Sequence, residues 1–275
     1  MKAARAAYVG GFDGTSNVAA GEAFDLPVSG TMAHSWVQSF PDERTSFEAF
    51  VEVYGDDSVL LVDTYDTVEG AELAMDVAHE YDAEVGVRLD SGDLVALSKE
   101  VDEVVDDAPI FVSSGMDEYK IARFLRNDGV ATGFGPGTSL TTSEDAPSLD
   151  AVYKLVAVET DGEMRPSMKL STGKATYPNA KSVRRVVGEE GYERDVLALR
   201  GEDGEGEELL VTVFSDGDRV RDLPDLDAVR DRARERRRRL PADCRDLRDP
   251  ATYPVAVSDD LQAVADDLAA ELADE

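Results

Sequence analysis

The chain holds one cysteine, Cys244, and two histidines, His34 and His79, among its 275 residues. A single thiol excludes an internal disulfide and any metal site built from several cysteines. No apolar run approaches the roughly 18 residues that a membrane-spanning helix needs. The opening stretch "MKAARAAYVGGFDG" lacks the long apolar segment and cleavage pattern of a signal peptide. These absences predict a cytoplasmic protein of one large or two smaller domains. Basic residues are also scarce, 28 Lys and Arg against 59 Asp and Glu, for a net charge of −31. Such a balance argues against nucleic-acid and anionic-membrane partners. The acids are spread along the chain and the apolar segments are well patterned, which favours a salt-adapted, halophilic surface over a disordered acidic chain. The basic run from Arg234 to Arg239, interrupted only by Glu235, reads as local neutralisation of that surface.

What is present is an alternation. In the first half, short apolar runs end in polar or glycine-rich turns and are followed by stretches with a period near 3.6. "AAYVGG" and "PVSGTMAH" open the series, "SVLLVDTYDT", "EVGVRLDSGD" and "PIFVSSG" continue it, and "ATGFGPGTSL" ends it. Repeated strand–loop–helix units predict an α/β fold with parallel strands, as an open sheet or a barrel. Polar residues gather after the expected strands: Asp13, His34, Asp63 and Asp66, Arg88 and Asp90, Ser113 and Ser114, Gly135 and Gly137. Carboxyl ends of parallel strands are where such folds build sites, and six units in register favour a barrel mouth. Residues 1–149 are read as this α/β portion. Residues 150–222 read as a β-rich segment with Asp-Gly and Pro-Asn turns, and residues 223–275 as C-terminal helices separated by a Pro-containing link.

The strand-end residues carry recognisable chemistry. "VRLDSGDL" puts Arg88, Asp90, Ser91, Gly92 and Asp93 on one turn. Arginine clamps phosphate, a carboxylate accepts from sugar hydroxyls or holds magnesium, and glycine admits a bulky anion. The competing reading is an Arg88–Asp90 pair that braces the rim. "VSSGMDEYKI", with Ser114 and Gly115, and "GFGPGTSL", with Gly135, Gly137 and Thr138, read as phosphate loops or as ordinary turns. Neither matches the P-loop or the dinucleotide glycine pattern. Asp63 suits magnesium or ribose, whereas Asp66 suits a helix cap. His34, after the small-residue turn "SGTMA", is open between acid–base work, covalent catalysis and a core donor. His79 sits in a helix-like stretch and Cys244 in a charged one, so no hydrolase triad is visible.

As a set, "GGFDGTSNVAAG", "GTMAHS", "LVDTYDT", "RLDSGDL", "SSGMDEY", "GFGPGT", "YKLV", "KLS" followed by a lysine, and "YPVAVSDDL" resemble nicotinate phosphoribosyltransferases. The resemblance implies the irregular parallel β/α barrel of type II phosphoribosyltransferases, here incomplete, with a mixed sheet domain built from both ends of the chain. It implies transfer of phosphoribosyl from phosphoribosyl pyrophosphate to nicotinate in NAD salvage, assisted by Mg2+. It also implies coupling to ATP hydrolysis through a phosphohistidine, whose place His34 occupies. Arg88, the backbone at Ser114 and Gly115, and Gly135 to Thr138 would stabilise the pyrophosphate. Asp90 would meet the ribose, Asp63 the metal, and Asp13, Thr15 and Ser16 the base pocket. Ser91 and Gly92 fall within the same motif. Lys169 and Lys181 are either phosphate neighbours or surface lysines. Family members are commonly dimers, so a homodimer is expected.

Family members also carry a sizeable segment ahead of "GGFDGTSN". The resemblance therefore implies a chain short of part of its base pocket, through fragmentation, an internal start or a separate polypeptide. The expectation is a protein not competent alone. The alternatives are a nicotinamide or quinolinate phosphoribosyltransferase and a non-catalytic, nucleotide-sensing remnant.

Overall fold

The computed structural model describes residues 1–105, 107–148, 153–170 and 176–273. The chain divides into two compact units, Met1–Pro147 and Ser148–Glu275. In the first unit the elements are α1 (Lys2–Gly10), α2 (Val18–Phe24), α3 (His34–Val37), α4 (Glu43–Tyr54), β1 (Val59–Leu61), α5 (Thr67–Glu80), β2 (Gly86–Leu89), α6 (Leu94–Asp102), β3 (Ile110–Val112), α7 (Glu118–Arg126), β4 (Gly133–Phe134) and α8 (Thr138–Thr142). Strands β1 to β4 pair in sequence order, and every pair is parallel. This is the expected α/β arrangement, and it sends all four carboxyl ends to one edge.

The strands form because their apolar residues are buried on both faces. Leu60, Leu61, Val87, Leu89, Ile110 and Val112 are at most 2% exposed. Phe47 and Val51 of α4, Ala71, Ala74 and Val77 of α5, Val101 of α6 and Phe124 of α7 complete that core. Most of the helices start on an acid or amide cap. Asn17, Asp42, Asp66, Asp93 and Asp117 each accept a backbone N–H from the first turn of the helix that follows. Asp66 is thus a cap, as its position suggested.

Two expected strands are absent. "AAYVGG" lies in helix α1, because its alanines favour helix. That helix stops at Gly11, whose φ is +114°. "PVSGTMAH" gives only a single bridge between Val28 and Thr15. Pro27 has no N–H to donate to a ladder and Gly30 weakens an extended run. His34 accordingly opens a short helix and does not close a strand.

In the second unit, β5 (Ala157–Thr160) and β6 (Glu163–Pro166) form a hairpin closed by Asp161-Gly162, both at positive φ. β7 (Lys181–Val187), β8 (Tyr192–Leu199) and β9 (Glu207–Glu208) form an antiparallel sheet. A second hairpin joins β10 (Phe214–Ser215) to β11 (Asp218–Arg219), and α9 (Leu226–Arg239) follows. The segment read as a Pro-containing link between helices supplies another strand, β12 (Val255–Val257), parallel to β8, before α10 (Asp259–Ala273). Its three-residue "VAV" run was too short to signal a strand in isolation. Arg185 binds Asp195 through two 2.8 Å hydrogen bonds and stacks on Tyr192, tying β7 to β8.

Helix α5 approaches the sheet closely at Gly70, where an added Cβ would stand 2.2 Å from the Val62 carbonyl oxygen. Gly70→Ala gains helix propensity but overpacks this contact, so it should destabilise the protein by about 1–3 kcal/mol. A lowered denaturation midpoint is the expected result, and an unchanged or raised one would show that α5 and β1 can separate freely.

Candidate active site

The β1 carboxyl end carries Asp63 and Thr64. Asp63 is sealed by the sheet, with a side chain 0% exposed. Its Oδ2 accepts the Asp90 N–H at 2.9 Å and the Ser91 hydroxyl, fixing the loop after β2 against the end of β1. Gly92 turns that loop at φ +80°, where a Cβ would meet Leu97 at 2.7 Å. Asp93 is used as the cap of α6. The other oxygen of Asp63, Oδ1, is buried without a hydrogen-bond partner and faces His34 Nε2 at 3.9 Å.

His34 is held by its neighbours. Met32 and Val37 are buried on either side of it, and Trp36 donates from Nε1 to the Ser46 carbonyl of α4. The imidazole, 38% exposed, meets Thr64 Oγ1 at Nδ1 (3.1 Å) and Asp90 Oδ2 across 3.7 Å at Nε2. Arg88 gathers three loops. Its Nε donates to Ser113 Oγ at 2.8 Å, its Nη1 to Thr31 Oγ1 at 2.6 Å and to the Met32 carbonyl, and its Nη2 to Asp90 Oδ1 at 2.8 Å. The bracing arrangement is therefore the one present. Ser113 also donates to Asp90 Oδ1. Burial pushes the Asp90 carboxyl up, but the hydrogen bonds from Ser113 and Arg88, with the charges of Arg88 and His34, outweigh it. The carboxyl lies below the usual carboxylate range.

The loop after β3 bends through two successive left-handed residues, Ser114 (φ +82°) and Gly115 (φ +59°). A cavity of about 680 Å³ is lined by Asp13, Thr15, Ser16, Arg88, Ser113, Gly135 and Gly137 among others. The expected site residues thus fall into two adjoining groups that share Arg88. Asp13, Thr15, Ser16, Gly135 and Gly137 line the cavity, while His34, Asp63, Asp90 and Ser91 cluster at the ends of β1 and β2. Ser114, Gly115 and Thr138 do not line the cavity. Thr138 opens α8, and Ser114 and Gly115 are exposed. In the second unit, the Lys181 ammonium donates to the carbonyls of Tyr177 and Asn179, both at 2.7 Å, and burial lowers its pKa. The ammonium is thus engaged within its own unit by backbone carbonyls. Lys169 donates its backbone N–H to Thr176. The serine and the second lysine of the "KLS" motif, Ser171 and Lys174, lie outside the described residues.

The family model described as the nicotinate phosphoribosyltransferase family matches residues 1–217, and the model of that enzyme's C-terminal domain matches residues 198–265. The chain belongs to the nicotinate phosphoribosyltransferase family. It is 44% identical over 269 residues to a nicotinate phosphoribosyltransferase of Mycobacterium tuberculosis, covering 94% of this chain and 57% of that protein. To the Bacillus subtilis nicotinate phosphoribosyltransferase it is 44% identical over 215 residues, 74% of this chain and 44% of the relative. The crystal structure of human nicotinic acid phosphoribosyltransferase superposes with a TM-score of 0.79 at 27% identity, covering 96% of this chain and 66% of that one. That of nicotinate-nucleotide pyrophosphorylase from Pyrococcus furiosus gives 0.70 at 27% identity, covering 86% and 61%. The chain spans roughly half the length of the bacterial relatives it matches.

Among the described residues no three His, Cys, Asp or Glu side chains converge for a metal. Asp63, the expected ligand, is sealed from solvent and uses Oδ2 on its own loop. No helix among the described residues is long and apolar enough to cross a membrane.

Sequence reading assigned no role to Thr64 or Thr31, although Thr64 sits inside "DTYDT", and placed Ser113 only among the polar residues at the strand ends. It gave no sign of Glu43, the first residue of α4. Glu43 Oε1 is buried without a hydrogen-bond partner. Burial, with the charges of Asp63 and Asp66, raises its carboxyl from 4.5 to about 7. An acid raised on folding binds more protons folded than unfolded, so it favours the fold at low pH. That contribution is lost as pH rises between 4.5 and about 7. Thermal melts from pH 5 to 8 should therefore fall for the wild type and fall less for Glu43→Gln. Parallel pH slopes for the two proteins would contradict this assignment.

Proposed function

We propose that the chain carries the phosphoribosyl-transfer site of a nicotinate phosphoribosyltransferase. The enzyme moves phosphoribosyl from phosphoribosyl pyrophosphate to the ring nitrogen of nicotinate and releases pyrophosphate. The observation that carries this reading is the convergence, on one edge of a parallel sheet, of His34 and Asp90 with a cavity lined by glycine-loop backbone and small polar residues. The relatives named above, all called by that activity or its pyrophosphorylase counterpart, support it.

Breaking the ribose C1–oxygen bond builds positive charge on the sugar and negative charge on pyrophosphate. Asp90, held ionised, accepts the ribose hydroxyls and lies near the developing positive charge. The backbone N–H groups of Ser114, Gly115, Gly137 and Thr138 are the donors for the leaving group, while that of Gly135 stays on the Val112 carbonyl, and Asp13, Thr15 and Ser16 border the base. Arg88 contributes by fixing the loops that present these groups. The unprotonated ring nitrogen of His34 takes the γ-phosphoryl group of ATP as the bond from phosphorus to the bridging oxygen breaks and ADP leaves, and the phosphoimidazole organises the pyrophosphate end of the site. Any Mg2+ arrives on the substrate phosphates. The working protein is a cytoplasmic homodimer with a salt-adapted acidic surface.

Incubation with γ-labelled ATP should place acid-labile phosphate on the wild type and none on His34→Ala. Label retained in His34→Ala, or none on the wild type in buffers from about 0.1 to about 1 M salt, where the screening length falls from about 10 to about 3 Å, would sink this reading.

A further inference from the structure

Two hydroxyls at this site have no role in the transfer as described, yet each is bonded to a residue that does. Thr64 Oγ1 lies 3.1 Å from His34 Nδ1. Ser113, 7% exposed, accepts from Arg88 Nε at 2.8 Å and donates to Asp90 Oδ1 at 2.5 Å. The Leu89 carbonyl, at 3.2 Å, is the competing acceptor for that one proton.

The geometry determines what each hydroxyl does. A neutral imidazole carries one N–H, and its position follows the acceptors around the ring. Here Nε2 faces two carboxylates, Asp90 Oδ2 at 3.7 Å and Asp63 Oδ1 at 3.9 Å, the latter buried without a hydrogen-bond partner. That field draws the proton to Nε2 and leaves Nδ1 as the acceptor, for which Thr64 supplies a donor. Asp90 is set in the same manner. Ser113 and Arg88 Nη2 both donate to Oδ1, which stops the carboxylate from turning and keeps Oδ2 on the histidine side.

We propose that Thr64 and Ser113 are positioning residues of the transfer reaction, whose hydroxyls hold His34 and Asp90 face to face with the imidazole proton on Nε2. The proposal deepens the functional reading above and rests on it for the roles of His34 and Asp90. Ser113 touches no reacting atom, and Thr64 acts through His34: its hydroxyl holds Nδ1, the unprotonated nitrogen, and releases it as the phosphoryl group arrives. Each holds its partner at the atom opposite the one that faces the other residue.

The test uses the full chain labelled with 15N-histidine, with ring spectra recorded at about pH 8.5, above the ordinary imidazole range. With only two histidines, His79→Gln assigns the signals. The wild type is expected to show the Nε2–H tautomer at His34. Thr64→Val and Ser113→Ala should show a mixture of tautomers, and Thr64→Ser and Ser113→Thr should restore the wild-type pattern. In parallel, the rate of His34 phosphorylation by ATP should fall roughly tenfold to a hundredfold in Thr64→Val and Ser113→Ala, the cost typical of a misplaced reacting group. Half-saturation by ATP should move far less, and the conservative variants should recover the rate. A wild-type Nδ1–H tautomer overturns the proposal, as do unchanged spectra in both Thr64→Val and Ser113→Ala. The expected tautomers in a protein that never takes phosphate from ATP would instead overturn the functional reading while the positioning geometry stood.

Discussion

The Arg88 guanidinium is the contact on which the site depends. It sits at the end of β2 and donates to the loop before His34, to Asp90 on its own loop, and to Ser113 at the end of β3. A planar, always-charged fork can satisfy three loops at once, which an ammonium could not do with the same geometry. Asp63 performs the same task one strand over, tying the end of β1 to the loop after β2. The active-site loops are therefore held by cross-strand polar contacts at the edge of an apolar sheet. Partial burial strengthens those contacts and makes each unpaired group costly.

That frame explains how so acidic a chain forms a working pocket. The acids near the site are committed to defined partners. Asp63 and Asp90 hold loops, and Asp66, Asp93 and Asp117 begin helices. Glu43 Oε1 and Asp63 Oδ1 are the exceptions, each buried without a hydrogen-bond partner. Burial, with the charges of Asp63 and Asp66, raises the Glu43 carboxyl to about 7. In the proposed function the donors for phosphate are backbone N–H groups at Ser114, Gly115, Gly137 and Thr138, because Arg88 at the cavity is engaged by three loops. Backbone donors cannot be lost by titration or screened away as readily as exposed lysines.

Much of this was legible in the sequence where chemistry and periodicity coincide. The runs "SVLL", "VGVRL" and "PIFV" are buried parallel strands, and "DTYDT", "RLDSGD" and "SSGMDEY" are the turns that follow them. The family was readable from the motifs. Other features were hidden for physical reasons. "AAYVGG" has the composition of a strand end, but alanine propensity makes it a helix. His34 was read as following a strand, whereas a proline and a glycine prevent one there. Arg88 looks like a phosphate clamp in isolation, and only the fold brings Thr31 and Ser113 to it from distant positions. Residues whose role depends on such long-range partners, Glu43 among them, leave no local pattern to read.

In the proposed function the strand-end loops, gathered by Arg88, make one site for a phosphoribosyl group. Calorimetric titration with phosphoribosyl pyrophosphate, comparing the wild-type chain with Arg88→Lys, tests it most directly. Saturable one-site binding by the wild type is expected, with a loss of at least about tenfold in affinity for Arg88→Lys, since a lysine cannot span the three loops. Equal affinity in the two proteins, or no binding by a folded wild type, would contradict it.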